Sequence, residues 1–125
     1  MANTADITMQ LIYRDADNAT RFQIPPIRVS KSLTSNLYIV AVQNIGTTHE
    51  ALDVGSLSTV AGPMYLYNRN ATNYVEIGLV ISTVFTAFFR VGPEEVAFVP
   101  RVSDLAIYAK ANTAACDLEY WIAEP

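Results

Sequence analysis

A period of two, repeated in short runs, constrains this chain more than any other feature. Ile7, Met9, Leu11 and Tyr13 alternate with Thr8, Gln10, Ile12 and Arg14. Successive side chains of an extended chain point to opposite sides, so the run predicts a strand with one face buried and the other mostly polar. Val75, Ile77, Leu79 and Ile81 repeat the pattern, as do Val96, Phe98 and Val102, with Pro100 in phase. Leu105, Ile107, Ala109 and Ala111 form another set, and Leu118, Tyr120 and Ile122 the last. Residues 37–42 and 64–67 are apolar at both parities. Such runs are expected in central strands or in strands covered on a second side.

Turn chemistry separates the runs. Asp15-Ala16-Asp17-Asn18 follows the first, Ile24-Pro25-Pro26 interrupts the second, and Gly46-Thr47-Thr48 follows the third. Residues 68–73, rich in Asn, read as a hairpin loop. Gly92-Pro93-Glu94 marks a tight turn and Asn112-Thr113-Ala114-Ala115 another. Asn and Asp tolerate left-handed backbone and bond their own main chain, while Pro presets φ and offers no N–H. No stretch gives an amphipathic helix, and residues 30–35 read as a polar linker or a single turn. Strands spaced by 8–12 residues point to a sandwich or barrel. The expected fold is all-β: a single-domain antiparallel β-sandwich over residues 6–125, jelly-roll-like, with nine or ten strands. Residues 1–5 are expected to be a flexible N-terminal arm.

Composition narrows the partners. The chain has 125 residues, 51 % of them hydrophobic and 16 % charged. That length suits one domain with a sufficient core. The charged share is below the ~25 % usual for soluble domains, which suggests that part of the surface is covered by a partner. Net charge is −4, with eight basic residues and no basic stripe, so direct nucleic-acid binding is disfavoured. The N-terminus has neither basic nor apolar signal regions, and residues 77–89, the longest apolar stretch, are too few to span a bilayer. No membrane partner is expected. A single cysteine, Cys116, excludes an internal disulfide and a multi-thiolate zinc site, and reads as a small residue at the start of a strand.

The search for chemistry returns packing, turn and surface residues. His49 is the sole imidazole, with no nucleophile elbow anywhere; Gly55-Ser56-Leu57 is a turn carrying a serine. Glu94 and Glu95 are adjacent, so on a strand they face opposite ways and do not make a paired-carboxylate site. Asp15, Asp17 and Asn18 lack the glycine and distant glutamate of a calcium loop. The glycines are single, so none forms a phosphate cradle. Asn18-Ala19-Thr20 and Asn70-Ala71-Thr72 match the glycosylation acceptor pattern but read as polar loops. Seven Tyr, five Phe and one Trp supply many rings. Tyr65, Tyr67, Tyr108 and Tyr120 are expected at the core edge with hydroxyls toward water. No catalytic residue, cofactor or metal ligand is assigned, and no enzyme activity is expected.

Three segments, in order, carry a resemblance. The first is Gly62-Pro63-Met64-Tyr65-Leu66-Tyr67-Asn68, followed by Asn70-Ala71-Thr72-Asn73-Tyr74-Val75-Glu76-Ile77-Gly78. The second is Val91-Gly92-Pro93-Glu94-Glu95. The third is Leu105-Ala106-Ile107-Tyr108-Ala109-Lys110-Ala111, then Leu118-Glu119-Tyr120-Trp121-Ile122-Ala123-Glu124. Over residues 36–124 this succession resembles small β-sandwich virion proteins of tailed bacteriophages; residues 1–35 do not share it. The resemblance implies a capsid decoration, or cement, protein. Such a protein would be made in the host cytoplasm, sit on the head exterior as a homo-oligomer, here taken as a trimer, and bind the major capsid protein. The expected contacts are the N-terminal residues Ala2, Asn3, Thr4, Ala5 and Asp6, which could add a strand to a neighbouring sheet. A tail, neck or fibre-head component and a carbohydrate-binding sandwich are the alternatives.

Overall fold

The computed structural model describes residues 3–33, 35, 37–57, 62–100 and 106–124. Among them are ten strands: β1 (Asn3–Arg14), β2 (Thr20–Leu33), β3 (Tyr38–Ile45), β4 (Glu50–Ala51), β5 (Met64–Asn68), β6 (Val75–Ile81), β7 (Val84–Val91), β8 (Val96–Val99), β9 (Tyr108–Ala111) and β10 (Cys116–Ala123). The fold is all-β, and the strand pairings among the described residues are antiparallel. The chain divides into two compact units, residues 1–34 and 35–125. The division therefore lies some thirty residues beyond the boundary expected after Ala5, because β1 finds its partner in β2 and in no other strand.

The second unit is the expected sandwich. One sheet has the order β3-β10-β5-β8 and the other β4-β9-β6-β7. The logic is nested. β6 pairs with β7, β5 with β8, β4 with β9 and β3 with β10. Eight strands thus form one long antiparallel hairpin whose successive pairs alternate between sheets, and rolling it up produces a jelly roll. Ile45, Met64, Leu66, Leu118, Tyr120 and Ile122 bury from the first sheet; Val75, Ile77, Leu79, Val91, Ala109 and Ala111 bury from the second. The bulky members come mainly from one sheet and the small ones from the other, as interdigitation across a ~10 Å gap requires.

Turns follow from the same topology. Residues 68–73 do not make a hairpin, since β5 and β6 lie in different sheets. They form a crossing corner held by the fully buried Asn68. Its Nδ2 shares two hydrogens among the carbonyls of Asn73, Val91 and Gly92, at 2.8, 3.1 and 3.1 Å. Its Oδ1 accepts from the Asn70 amide at 3.0 Å. Asn70 Oδ1 in turn accepts from the Thr72 and Asn73 amides. Tyr120 departs from its expected place at the core edge. It is wholly buried, and its hydroxyl donates to the Asp53 carbonyl, which satisfies the polar tip indoors.

The first unit is a long two-stranded ribbon. Residues 30–33, expected as linker, continue β2 and pair with β1. Pro25-Pro26 does not interrupt β2 either. The register shifts there, so both prolines fall between the Met9–Ile27 and Leu11–Ile24 pairs, opposite Gln10. A bulge is where a strand tolerates residues without N–H donors. A second bulge, between the Ile77–Phe89 and Gly78–Ala87 pairs, brings Gly78 against backbone: a methyl there would overlap the Thr86 carbonyl. Gly78→Ala is expected to lower stability by about 1–3 kcal/mol, read by urea unfolding. Asn68→Asp sets a carboxylate against three carbonyls and is expected to cost at least ~3 kcal/mol at pH 7. Recovery of that loss at low pH, where the group becomes a donor, would identify the charge as the cause.

Candidate interaction surfaces

Cross-strand partners share a face, so the register sorts each side chain. On the ribbon, Ile7–Val29, Met9–Ile27, Leu11–Ile24 and Tyr13–Phe22 fall on one face. Ile24 and Ile27 are three residues apart and would oppose each other on a regular strand; the Pro25-Pro26 bulge returns both to one side. The other face is polar apart from Ile12. Arg28 pairs with Asp6 at 3.6 Å, and the Arg14 guanidinium donates to Thr20 Oγ1 at 2.9 Å. The tip is closed by Asp15. Its Oδ1 accepts from the Asp17 and Ala19 amides, and its Oδ2 binds Arg21. That carboxylate is a turn cap and ion-pair partner. The expected alternation is therefore present, but the apolar face is not buried. Met9, Leu11, Tyr13, Phe22, Ile27 and Val29 are 51–59 % exposed. An open apolar hollow of about 280 Å³ lies among Met9, Leu11, Ile24 and Ile27 at the bulge.

The first sheet of the sandwich repeats this condition on its outer side. One outward row reads Val40–Trp121–Tyr65–Phe98 across β3, β10, β5 and β8; the next reads Val42–Glu119–Tyr67–Val96. Tyr38 and Val40 are each 63 % exposed. Two expectations change here. Residues 37–42 form an edge strand rather than a central one, and their second side is open. Val96 and Phe98 point outward, while Ala97 and Val99 pack on the core. Val102 and Leu105 lie outside the described residues. The four strands of this sheet carry no basic residue, and Asp117 and Glu119 are their charges. Burial, then the Glu119 carboxylate and Tyr67, push the Tyr65 hydroxyl above its ordinary range.

The second sheet presents a different outer side. Lys110, Glu76 and Arg90 make a charged row across β9, β6 and β7, and the Arg90 guanidinium sits 4.3 Å above the Tyr74 ring. His49 stacks on Phe85 with centroids 5.6 Å apart and meets Tyr108 edge-on at 6.0 Å. Its contacts are rings, and among the described residues it makes no hydrogen bond to a serine or a carboxylate. Glu95 turns back to accept from the Gly92 amide, and Glu94 takes a left-handed φ of 57° in the same turn. Among the described residues no group of three His, Cys, Asp or Glu side chains could hold a metal ion. No helix among them is long and apolar enough to cross a membrane.

Of the interface residues expected from sequence, Asn3, Thr4, Ala5 and Asp6 lie in β1, paired with Leu33, Ser32, Lys31 and Ser30. Ala2 lies outside the described residues. No family model, curated protein or solved structure matches this chain.

Cys116 opens β10, as expected from sequence, and is fully buried. Burial, and secondarily the Asp117 carboxylate, push its thiol up. A raised thiol pKa leaves less thiolate at any given pH, and thiolate is the reacting form. At pH 8 the native protein is expected to react with an aromatic disulfide reagent on the order of 100-fold more slowly than the urea-unfolded chain. Equal rates would show that Cys116 is open to solvent.

Proposed function

We propose that this chain is a structural protein of a phage particle, a capsid decoration protein that binds the major capsid protein on the head exterior and reinforces the shell. One observation carries the reading. The first sheet turns out rows of aromatic and aliphatic side chains with two carboxylates and no base, while the second mixes the Lys110–Glu76–Arg90 row with exposed Ile81, Val84 and Phe88. An apolar outer sheet face supports contact with another macromolecule. The virion setting rests on the sequence resemblance, and the jelly roll, frequent in capsid proteins, is compatible with it. Fold alone does not assign function. Contact area repeated over a shell converts modest affinity per site into firm reinforcement. A tail or neck position uses the same surface.

A second reading has its own support. The row Trp121–Tyr65–Phe98 is a platform of rings, and rings present flat apolar faces to partners. A carbohydrate module would use it to stack sugars.

Purified protein mixed with phage heads that lack it is expected to co-sediment saturably. Trp121→Ala with Tyr65→Ser should weaken that binding at least ~10-fold, as loss of two aromatic anchors does. Deletion of residues 1–5 removes the ladder pairs from Asn3–Leu33 to Ala5–Lys31 and leaves the sandwich whole. The truncated protein should therefore fold and occupy fewer sites. No sedimentation with heads, together with binding on a glycan array, would replace the decoration reading with the carbohydrate one.

A further inference from the structure

We propose that the apolar face of the β1–β2 ribbon of one copy docks on the outer face of the β3-β10-β5-β8 sheet of a second copy, so that each chain gives a ribbon and receives one. The same outer face that the decoration reading uses is here assigned to a second copy, so that Trp121→Ala with Tyr65→Ser would weaken head binding by dissociating the oligomer. Mass in the absence of heads tests the inference separately from sedimentation with them.

The ribbon cannot stand as it is. An isolated two-stranded hairpin is marginal in water, and an apolar face is worth its cost only when covered. Six large side chains, each 51–59 % exposed, leave on the order of 600 Å² of apolar surface open at ~150–250 Å² per side chain. That matches the largest patches found on monomers, about 300–600 Å², and approaches the ~800 Å² per partner of a standard interface. Docking by the face is favoured over docking by the edge, since Pro25 and Pro26 offer no N–H for a further strand along β2.

Charge selects the occupant. Residues 1–34 carry a net charge of +1, and the register sets Lys31, opposite Ala5, on the apolar face of the ribbon, with Arg14 and Arg28 on the other. Residues 35–125 carry −5, and the strands of the receiving sheet hold Asp117 and Glu119 with no basic residue. Ribbon on sheet brings Lys31 to a face that carries carboxylates and no base, and covers two apolar faces at once. Sheet on sheet would oppose carboxylates to carboxylates, and ribbon on ribbon would leave the aromatic rows bare. Both halves of the favoured contact are present in every chain. A head-to-tail contact of this kind closes into a ring when the rotation permits, which accommodates the expected trimer.

The test uses the full chain and two variants, Leu11→Lys on the ribbon and Val40→Lys on exposed β3. Light scattering should give wild type an oligomeric mass and each variant a monomeric one. Mixed one to one, the variants should form a species of twice the monomer mass, because the Val40→Lys chain keeps a good ribbon and the Leu11→Lys chain a good sheet. A monomeric wild type at 100 µM would overturn the proposal. So would an oligomeric Leu11→Lys protein, which means sheet-on-sheet contact, or an oligomeric Val40→Lys protein, which means ribbon-on-ribbon contact. A mixture that stays monomeric would also refute it. Should either variant fail to fold, wild-type Trp121 emission read against dilution decides the matter. It should shift to the red as the mass falls, and constant emission through dissociation would refute the proposal.

Discussion

Burial between the two sheets of the sandwich is the interaction on which the rest of the structure depends. Each of the side chains that close it contributes ~1.5–3 kcal/mol by leaving water. The group includes Leu66, Leu118 and Ile122, all fully buried. That burial demands that the chain cross repeatedly from one sheet to the other. The crossings in turn demand corners whose backbone polar groups are satisfied away from the ladders. Asn68 answers this demand at the 68–73 corner: its two amide hydrogens are shared among three carbonyls and its Oδ1 accepts one bond. Tyr120 answers a related one, its buried hydroxyl bonding the Asp53 carbonyl in the loop after β4. These polar groups hold loops to the core, so packing and connectivity are enforced together.

Strand existence was legible because it is a local property. Alternation at 75–81 and 116–122, with turn residues between runs, is enough to place β6 and β10 and to identify an all-β sandwich. Cys116 was placed at a strand start by the same reasoning. Partners and sheets are non-local, and there the reading failed in identifiable places. Residues 68–73 have the composition of a hairpin loop, yet a crossing corner needs the same Asn-rich chemistry, and composition does not separate the two. Pro25-Pro26 looked like a break because a proline pair removes two donors. A bulge opposite Gln10 absorbs both, and only the partner strand reveals it. Val96 and Phe98 were assigned inward on hydrophobicity, whereas the smaller Ala97 and the neighbouring Val99 take the core side.

The misreadings at β1 and β8 share one cause. Period two reports that a strand has an apolar face; it does not report what covers that face. In a monomer resting on one core the assumption that apolar means inward is sound. Here the ribbon's Met9 and Tyr13 and the sheet's Val40 and Val96 all face out, and each would be placed inside by that assumption. The low proportion of charged residues was the one sequence signal of the surplus. With 16 % charged residues the chain has too few Lys and Glu to dress every face. The second sheet received a charged row beside exposed Ile81, Val84 and Phe88, and the first was left with rings, aliphatic side chains and carboxylates.

The displaced titratable groups follow the same division. Among the described residues they include Tyr65, Cys116 and Tyr120, and burial is the leading cause at each. Two of them lie in the core and serve packing. The third, Tyr65, stands in the aromatic row of the outer sheet, where a ring flanked by Trp121 and Phe98 offers contact area. A β-sandwich built this way holds its inner faces together by itself and leaves apolar side chains of its outer face, Tyr38, Val40 and Val96 among them, exposed.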